Sequence, residues 1–356
     1  MIAGAAFADG REAATLAGKW GAAPKEWGKS NVVWHMFKST VPADWRGRRV
    51  RVEIPGPLHK CDAVVWVNGE RAGDILRPGF EGVEAMRLVK FGEENEIKFC
   101  LTESGAETMR GETKAVTQLH HAKKGPAGDN PRIAAYPEAF ISDVFANTSW
   151  RKKRCDFEVE IDGGERGMGN GERHRLAVSV FDAASNVVWK GEQKISLTNG
   201  INKAVVPMPW DEKIVAWELG RPALYTAKID LAGGTGATGG TGDSFAVRFG
   251  FREVWREGKE IMMNGHKAHF RPVYPQGANN IPGLHFLQSI GFNTTFSGHS
   301  WDAVGISSQK TFDIHDETGM ARYATVGDTI CLGADVFHKD PAMREEFRRF
   351  TRIYHR

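Results

Sequence analysis

"FGFREVWREGKEIMMNGHKAHFRP", Phe249 to Pro272, followed by "GLHFLQSIGFNTTFSGHS", Gly283 to Ser300, separates two kinds of pattern in this chain. Before it, apolar and polar residues alternate over short runs bounded by turn residues, the mark of half-buried strands. After it the order changes. Ala268 to Val273 reads as a strand, Pro282 to Ile290 as a helix closed by Gly291, and Phe292 to Phe296 as a strand. Ser308 to Thr318 reads as a helix closed by Gly319, and Met320 to Thr325 as a strand. Asp340 with Pro341 opens a last helix: an acidic N-cap precedes a Pro whose missing N–H costs nothing there. Strand–helix alternation implies a parallel sheet, and such units in succession read as the opening of a β/α barrel.

Working back from Phe249, Phe157, Val159 and Ile161, then Leu176, Val178 and Val180, Ile195 and Leu197, and Ala227, Ile229 and Leu231 each keep period two. With loops such as "GGERGMGNGER" between them, they predict a second, smaller β-sandwich over 148–249. A first sandwich is predicted over 1–147. Val50, Val52 and Ile54 alternate in "VRVEI", and Ile97, Phe99 and Leu101 in "EIKFCL". Asn68-Gly69 after an apolar run marks a tight hairpin, because both residues accept positive φ. The stretch from Thr102 to Pro137, rich in Gly, Pro, Lys and His, reads as a strand-poor surface excursion. The third segment is set at 250–356.

Composition bounds the function. The 356 residues carry 47 basic and 44 acidic side chains, a formal charge of +3, which provides no sustained field for a polyanion. Nucleic acid is therefore not expected as a partner. The arginines of "DPAMREEFRRFTRIYHR" read as the solvated face of a helix whose Met343, Phe347, Phe350 and Tyr354 pack inward. No apolar run is long enough to cross a membrane, so no membrane partner is expected. Cys61, Cys100, Cys155 and Cys331 have no repeated spacing and read as free thiols. Ala6-Phe7-Ala8 fits a small-x-small cleavage site; it reads either as the tail of an export signal or as a flexible terminus. The compartment is thus unassigned, with a periplasmic or extracellular place favoured over a cytoplasmic one.

Several motifs invite chemistry and fail on local grounds. "GGTGATGGTG", 233–242, has no Lys-Ser/Thr and no following helix, so it reads as a hairpin loop rather than a phosphate loop. His266 and His269 stand three apart in an extended segment and face opposite sides; adjacent His120 and His121 have the same difficulty, and no metal is expected. Asn95-Glu96 in "EENEIKF" precedes a strand and reads as a turn.

Taken in order, these pieces resemble glycoside hydrolase family 2, the group of β-galactosidases, β-glucuronidases and β-mannosidases. "LAGKW", "FKSTVPADWRGRRVRVEI" and "VVWVNGERAG" are similar to its jelly-roll sugar-binding domain, and "WELGRPALYTAKIDL" to the end of its immunoglobulin-like domain. "FGFREV", "MMNGHKAHFRP" and "GFNTTFSGHS" are similar to the opening of its catalytic barrel, and "FDIHDETGM" to the step after it. The implied architecture is a jelly-roll β-sandwich, an immunoglobulin-like β-sandwich and an incomplete (β/α)8 TIM barrel. The family cleaves β-glycosides with retention, one Glu as acid/base and another as nucleophile, and uses no cofactor.

"MREEFRRFTRIYHR" resembles the helix before the strand that bears the family's Asn-Glu, so the resemblance implies that both catalytic Glu lie beyond Arg356 and that this chain is inactive alone. The residues implied to bind substrate are His299, after the second barrel strand, and Arg271, at the end of the first. Pro272 and Phe296 depart from the family's usual Gly and Arg. The implied partner is a carbohydrate, a β-glycoside or oligosaccharide, with a homo-oligomer of the full-length parent left open. The reading from another class is a non-catalytic carbohydrate-binding or scaffold protein derived from such an enzyme.

Overall fold

The structure is a computed structural model, and it describes residues 11–18, 20, 32–54, 61–75, 82–103, 106–109, 112–115, 130–164, 172–233, 242–275, 280–296 and 308–323. The Ala6–Ala8 site, His120, His121, most of the Gly-rich loop, the Asp340 helix and Cys331 lie outside the described residues.

The first body contains β1 (Glu12–Thr15), β2 (Val32–Thr40), β3 (Arg49–Glu53), β4 (Cys61–Val67), β5 (Glu70–Ile75), β6 (Gly82–Glu84), β7 (Glu94–Glu103), β8 (Ala106–Met109), β9 (Glu112–Ala115) and β10 (Arg132–Tyr136). Two four-stranded antiparallel sheets, β1-β10-β3-β6 and β2-β7-β4-β5, share one core. Alternation decides which residues enter it: Val50 and Val52 meet Val33, Phe37, Phe99 and Leu101, all at most 1% exposed. Each such side chain contributes about 1.5–3 kcal/mol by leaving water. Asn68 (φ 51°) and Gly69 (φ 88°) form the expected turn between β4 and β5. Asn95-Glu96, expected as a turn before a strand, instead lies within β7, where Asn95 is fully buried and accepts from the Asn68 amide and the Lys90 N–H.

The strand-poor reading of 102–137 is corrected. β7 runs on to Glu103, β8 pairs with β9, and β10 lies between β1 and β3. In "RIAAY" the expected alternation is erased because both faces are buried: Ile133 and Ala135 face the sandwich core, whereas Ala134 and Tyr136 pack with Phe140.

The second body contains β11 (Phe140–Ser149), β12 (Arg154–Asp162), β13 (Glu172–Phe181), β14 (Val187–Leu197), β15 (Ile201–Pro209), β16 (Tyr225–Gly233) and β17 (Asp243–Phe249). A three-stranded sheet, β11-β12-β15, faces a four-stranded one, β14-β13-β16-β17. Their core includes Phe157, Val159, Ile161, Leu176, Val178, Ile229 and Phe251. β11 pairs with β12 from Phe140 onward, so the chain crosses between sandwiches after Tyr136, ahead of the 147/148 boundary expected. A register shift between Ile141 and Asp143 breaks the period-two signal there. β16 pairs with β17, as the hairpin reading of the Gly-rich segment requires. Cys100 and Cys155 are free and buried.

The change of architecture comes later than Phe249. β18 (Val254–Glu257), β19 (Glu260–Met263) and β20 (His266–Lys267) first form a small antiparallel sheet. Its turns, at Gly258 (φ 60°) and at Asn264 (φ 47°) with Gly265 (φ 89°), are hairpin signals that the strand–helix reading passed over. Then β21 (Pro272–Val273), β22 (Thr294–Phe296) and β23 (Ala321–Tyr323) pair in parallel, with α1 (Ile281–Ser289) and α2 (Ser308–Thr318) between them. Asn280 caps α1, its side chain accepting from the Gly283 N–H at 2.9 Å, and Gly291 (φ 101°) and Gly319 (φ 68°) close the two helices in the left-handed region.

Candidate functional site

The parallel unit is where site residues were expected, and it is built from short pieces. Leu284 and Leu287 of α1 pack with Ile314 of α2 and Met320. Beneath α2, Thr295 of β22 and His315 share a buried hydrogen bond of 2.8 Å between Oγ1 and Nε2. Arg322 of β23, in register with Thr295, lies over the Phe312 ring at 5.6 Å. Its Nη1 is buried with no acceptor, and burial lowers its affinity for the proton.

The unit is fastened to the second sandwich. Trp217 Nε1 donates to the Asp316 carbonyl at 2.8 Å, and the Gly220 N–H to the Gly319 carbonyl at 2.8 Å. Arg252 pairs with Asp316 at 2.7 Å while lying 4.7 Å from the Trp217 ring, and Arg248 pairs with Glu317 and Asp313. Burial alone would weaken the Arg248 guanidinium's hold on its proton; the hydrogen bond it donates to Glu317 and the neighbouring carboxylates outweigh this and raise its value. Among the described residues of 280–323, Asp313, Asp316 and Glu317 are the carboxylates, and all three face these arginines. Two-carboxyl chemistry is therefore not assembled from the described part of this unit.

In parallel sheets flanked by helices, ligands collect at the carboxyl ends of the strands. Here those ends are Val273 with Tyr274, Phe296 and Tyr323. Tyr274 is 47% exposed immediately after β21; no motif singled it out, and only its place after a strand end marks it. His299 follows β22 in sequence and lies outside the described residues.

Arg271 stands immediately before β21, on the amino-end side, with an exposed side chain. Its backbone is fixed by Asn293, whose Oδ1 accepts the Arg271 N–H at 2.7 Å and whose amide donates to the His269 carbonyl at 2.8 Å. Arg271, Arg221, Glu218, His266 and His269 line a cleft of about 330 Å³. His266 Nε2 lies 3.2 Å from Glu218, and His269 joins no shared ligand set. No group of three or more His, Cys, Asp or Glu poised to hold a metal occurs among the described residues. The structure thus sets Arg271 on the amino-end side of the parallel sheet.

Residues 139–252 match the sequence profile of "Glycosyl hydrolases family 2". No curated protein matches the chain in sequence. Among solved structures, the chain is similar to the β-glucuronidase of Lactobacillus rhamnosus (TM-score 0.62, 16% identity, 96% of this chain and 62% of that one). It is also similar to the Bifidobacterium dentium β-glucuronidase solved with coumarin-3-O-glucuronide (TM-score 0.60, 17% identity, 88% and 61%). A family 2 glycosyl hydrolase of Bacteroides cellulosilyticus is similar as well (TM-score 0.55, 14% identity, 82% and 39%). The chain spans between 39% and 62% of the length of these three relatives. At such identities the likeness is one of fold, and it agrees with the profile matched by the second sandwich. Residues 139–252 thus carry the family 2 glycosyl hydrolase profile, within a chain whose fold is similar to that of these enzymes.

Proposed function

We propose that the chain is the N-terminal portion of a retaining β-glycosidase, with the parallel unit opening a (β/α)8 barrel and both catalytic Glu supplied by sequence beyond Arg356. The observation that carries this reading is the order of parts: two antiparallel sandwiches, the second bearing the family match, followed by parallel strands with intervening helices. Retention needs one carboxyl group to protonate the leaving oxygen and another to attack the anomeric carbon. Asp313, Asp316 and Glu317 are committed to Arg248 and Arg252 and are unsuited to either task.

In this reading His299 contacts the sugar from the carboxyl end of β22. Arg271 keeps its proposed substrate role with a placement that the test must answer, since it lies before β21. The partner is a carbohydrate, with the sandwiches as accessory bodies divided near Tyr136 and near Phe251. A second reading, a non-catalytic carbohydrate-binding or scaffold protein descended from such an enzyme, draws on Pro272 and Phe296, which stand where the family usually has Gly and Arg.

The chain is incubated with aryl β-glucuronide, β-galactoside and β-mannoside, alone and extended by its downstream coding sequence. The expected result is no turnover by the chain and turnover by the extension, abolished by H299A and altered in KM by R271A. Turnover by residues 1–356 that is lost on replacing a Glu within them overturns the placement of the carboxyl groups. A downstream stop with no turnover favours the second reading.

A further inference from the structure

The cleft of about 330 Å³ between the turn 218–221, the β19–β20 hairpin and the amino-end side of the parallel sheet is lined by two arginines, Arg221 and Arg271. Both backbones are pinned. The Glu218 N–H donates to the Arg221 carbonyl at 3.1 Å and the Arg221 N–H to the Glu218 carbonyl at 3.0 Å. Gly319 passes so close that an added Cβ would sit 3.1 Å from the Arg221 nitrogen. On the other wall, Asn293 Oδ1 holds the Arg271 N–H at 2.7 Å. Two separately anchored segments thus bring a guanidinium each to one cleft.

Charge singles this pair out. Arg151, Arg248 and Arg252 border the same junction, and each is tied to a carboxylate, Glu253, Glu317 and Asp316, at 2.5–2.7 Å. Among the described residues, neither Arg221 nor Arg271 has a carboxylate partner. The carboxylate in the cleft, Glu218, is engaged at both oxygens: Oε1 accepts the Asn264 amide at 2.8 Å and Oε2 lies 3.2 Å from His266 Nε2. Lys267 on the same rim pairs with Glu260 at 2.6 Å. Two guanidinium forks remain beside His269, with Leu219 and Met263 as apolar lining. A guanidinium fork matches the oxygens of a phosphate group bidentately, and a phosphomonoester carries about −1.5 to −2 charges at pH 7, which two arginines offset. A monocarboxylate leaves one arginine uncompensated. The volume stands at the lower end of the roughly 300–1,000 Å³ of small-molecule sites, so one small organic group fits beside the phosphate.

We propose that this cleft binds the phosphate group of a small phosphomonoester, held between Arg221 and Arg271. The site goes beyond the glycosidase reading, whose chemistry needs no phosphate, and it gives Arg271 a task on the side of the sheet where the structure sets it.

The test titrates the whole chain by calorimetry, at constant ionic strength, with phenyl phosphate, glucose 6-phosphate, inorganic phosphate, sulfate and glucose. The expected result is that at least one ester binds saturably and about tenfold or more tighter than inorganic phosphate or sulfate, that glucose does not bind, and that folded R221Q and R271Q each lose about tenfold or more of the ester's affinity. In the wild-type chain the same ester shields Arg221 and Arg271 from phenylglyoxal, read by peptide mass spectrometry, a measurement that needs no variant. The proposal is overturned if neither ester binds, if binding survives in both variants, or if the two arginines stay unshielded. Phosphate and sulfate binding as tightly as the esters would mean an adventitious ion only and overturns it too. Glycoside turnover plays no part in this readout, so failure of the catalytic reading and failure of the phosphate site are told apart. A KM effect of R271A in the extended protein, with no ester bound by the chain, leaves Arg271 to the substrate and overturns the site.

Discussion

Arg11 and Asp243 stand 232 positions apart and are joined by two hydrogen bonds, Arg11 Nε and Nη2 each donating to an Asp243 oxygen at 2.6 Å. The Asp243 side chain is fully buried and also accepts the Ile141 N–H at 2.7 Å; Arg11 Nη2 donates to the Ile141 carbonyl at 2.7 Å. The Arg11 guanidinium lies 5.1 Å from the Tyr136 ring and 5.7 Å from that of Phe140. One side chain ahead of β1 thus links the first sandwich to the edges of β11 and β17. Removing one partner leaves the other charge buried. R11A is therefore expected to cost about 3–5 kcal/mol in urea unfolding, whereas an apolar double replacement, R11M/D243L, costs much less. A loss under about 1 kcal/mol for R11A would show that the pair is solvated in solution.

Asp162 offers a pH-dependent link at the same junction. Burial pushes its carboxyl up, but the hydrogen bonds from Arg49 and the Gly164 N–H, with the charges of Arg49 and Arg51, more than offset this and hold it below the ordinary Asp value. A depressed folded value means that the unfolded chain takes up protons first as pH falls. The stabilisation is complete above the unfolded value of about 3.9 and is lost as pH drops through the folded one. The difference in unfolding free energy between wild type and D162N should be flat from about pH 8 to pH 5 and should close below about pH 4. A difference that instead grew on acidification would place the proton elsewhere.

Asn264 is the keystone of the β19–β20 turn. Its φ of 47° lies in the left-handed region, its amide donates to the Trp217 carbonyl at 3.0 Å and to Glu218 at 2.8 Å, and its Oδ1 accepts the Glu253 N–H at 2.9 Å. Alanine there meets backbone strain of about 1–2 kcal/mol and strands buried polar partners at about 1–3 kcal/mol more. N264A is expected to lower stability by about 2–4 kcal/mol, read from the denaturant midpoint at unchanged m-value, and N264G by less. Equal losses for both would assign the whole effect to the hydrogen bonds.

What the sequence declared and what it concealed divide along physical lines. The Asn68-Gly69 turn and the carboxyl ends of α1 and α2 were legible because hairpin and helix-end chemistry is local: Gly291 and Gly319 act on their own neighbours. β10 was hidden because its two faces meet two different bodies, and β11 because a bulge shifts its phase. β18 to β20 carry little buried surface, so apolar periodicity was weak there although Asn264-Gly265 marked the turn. His299 was reached through family resemblance alone. Trp34 and Trp66 alternate legibly along their strands, yet nothing local says that segments 32 residues apart set them beside one another over Cys100.

The third segment is not of one piece, and this fixes where a protease should stop. Among the described residues, the parallel unit rests on a core of Leu284, Leu287, Ile314 and Met320, with two to three residues in each of β21, β22 and β23. Exposed edges and small cores open at low free energy. Residues 251–267, by contrast, are tied to the second sandwich. Phe251 lies in its core, Thr148 Oγ1 donates to the Arg252 carbonyl at 2.5 Å, and Arg151 pairs with Glu253 at 2.5 Å. The Gly265 backbone passes so close to Trp150 that an added Cβ would sit 2.7 Å from its Nε1. Limited proteolysis should therefore leave a resistant fragment that holds both sandwiches and ends after Lys267, rather than near Phe251. Amides of α1 should exchange before those of β12 and β13. A fragment ending near Phe251 would show β18 to β20 detached in solution, and protection of α1 equal to that of β12 would make the parallel unit a self-sufficient body.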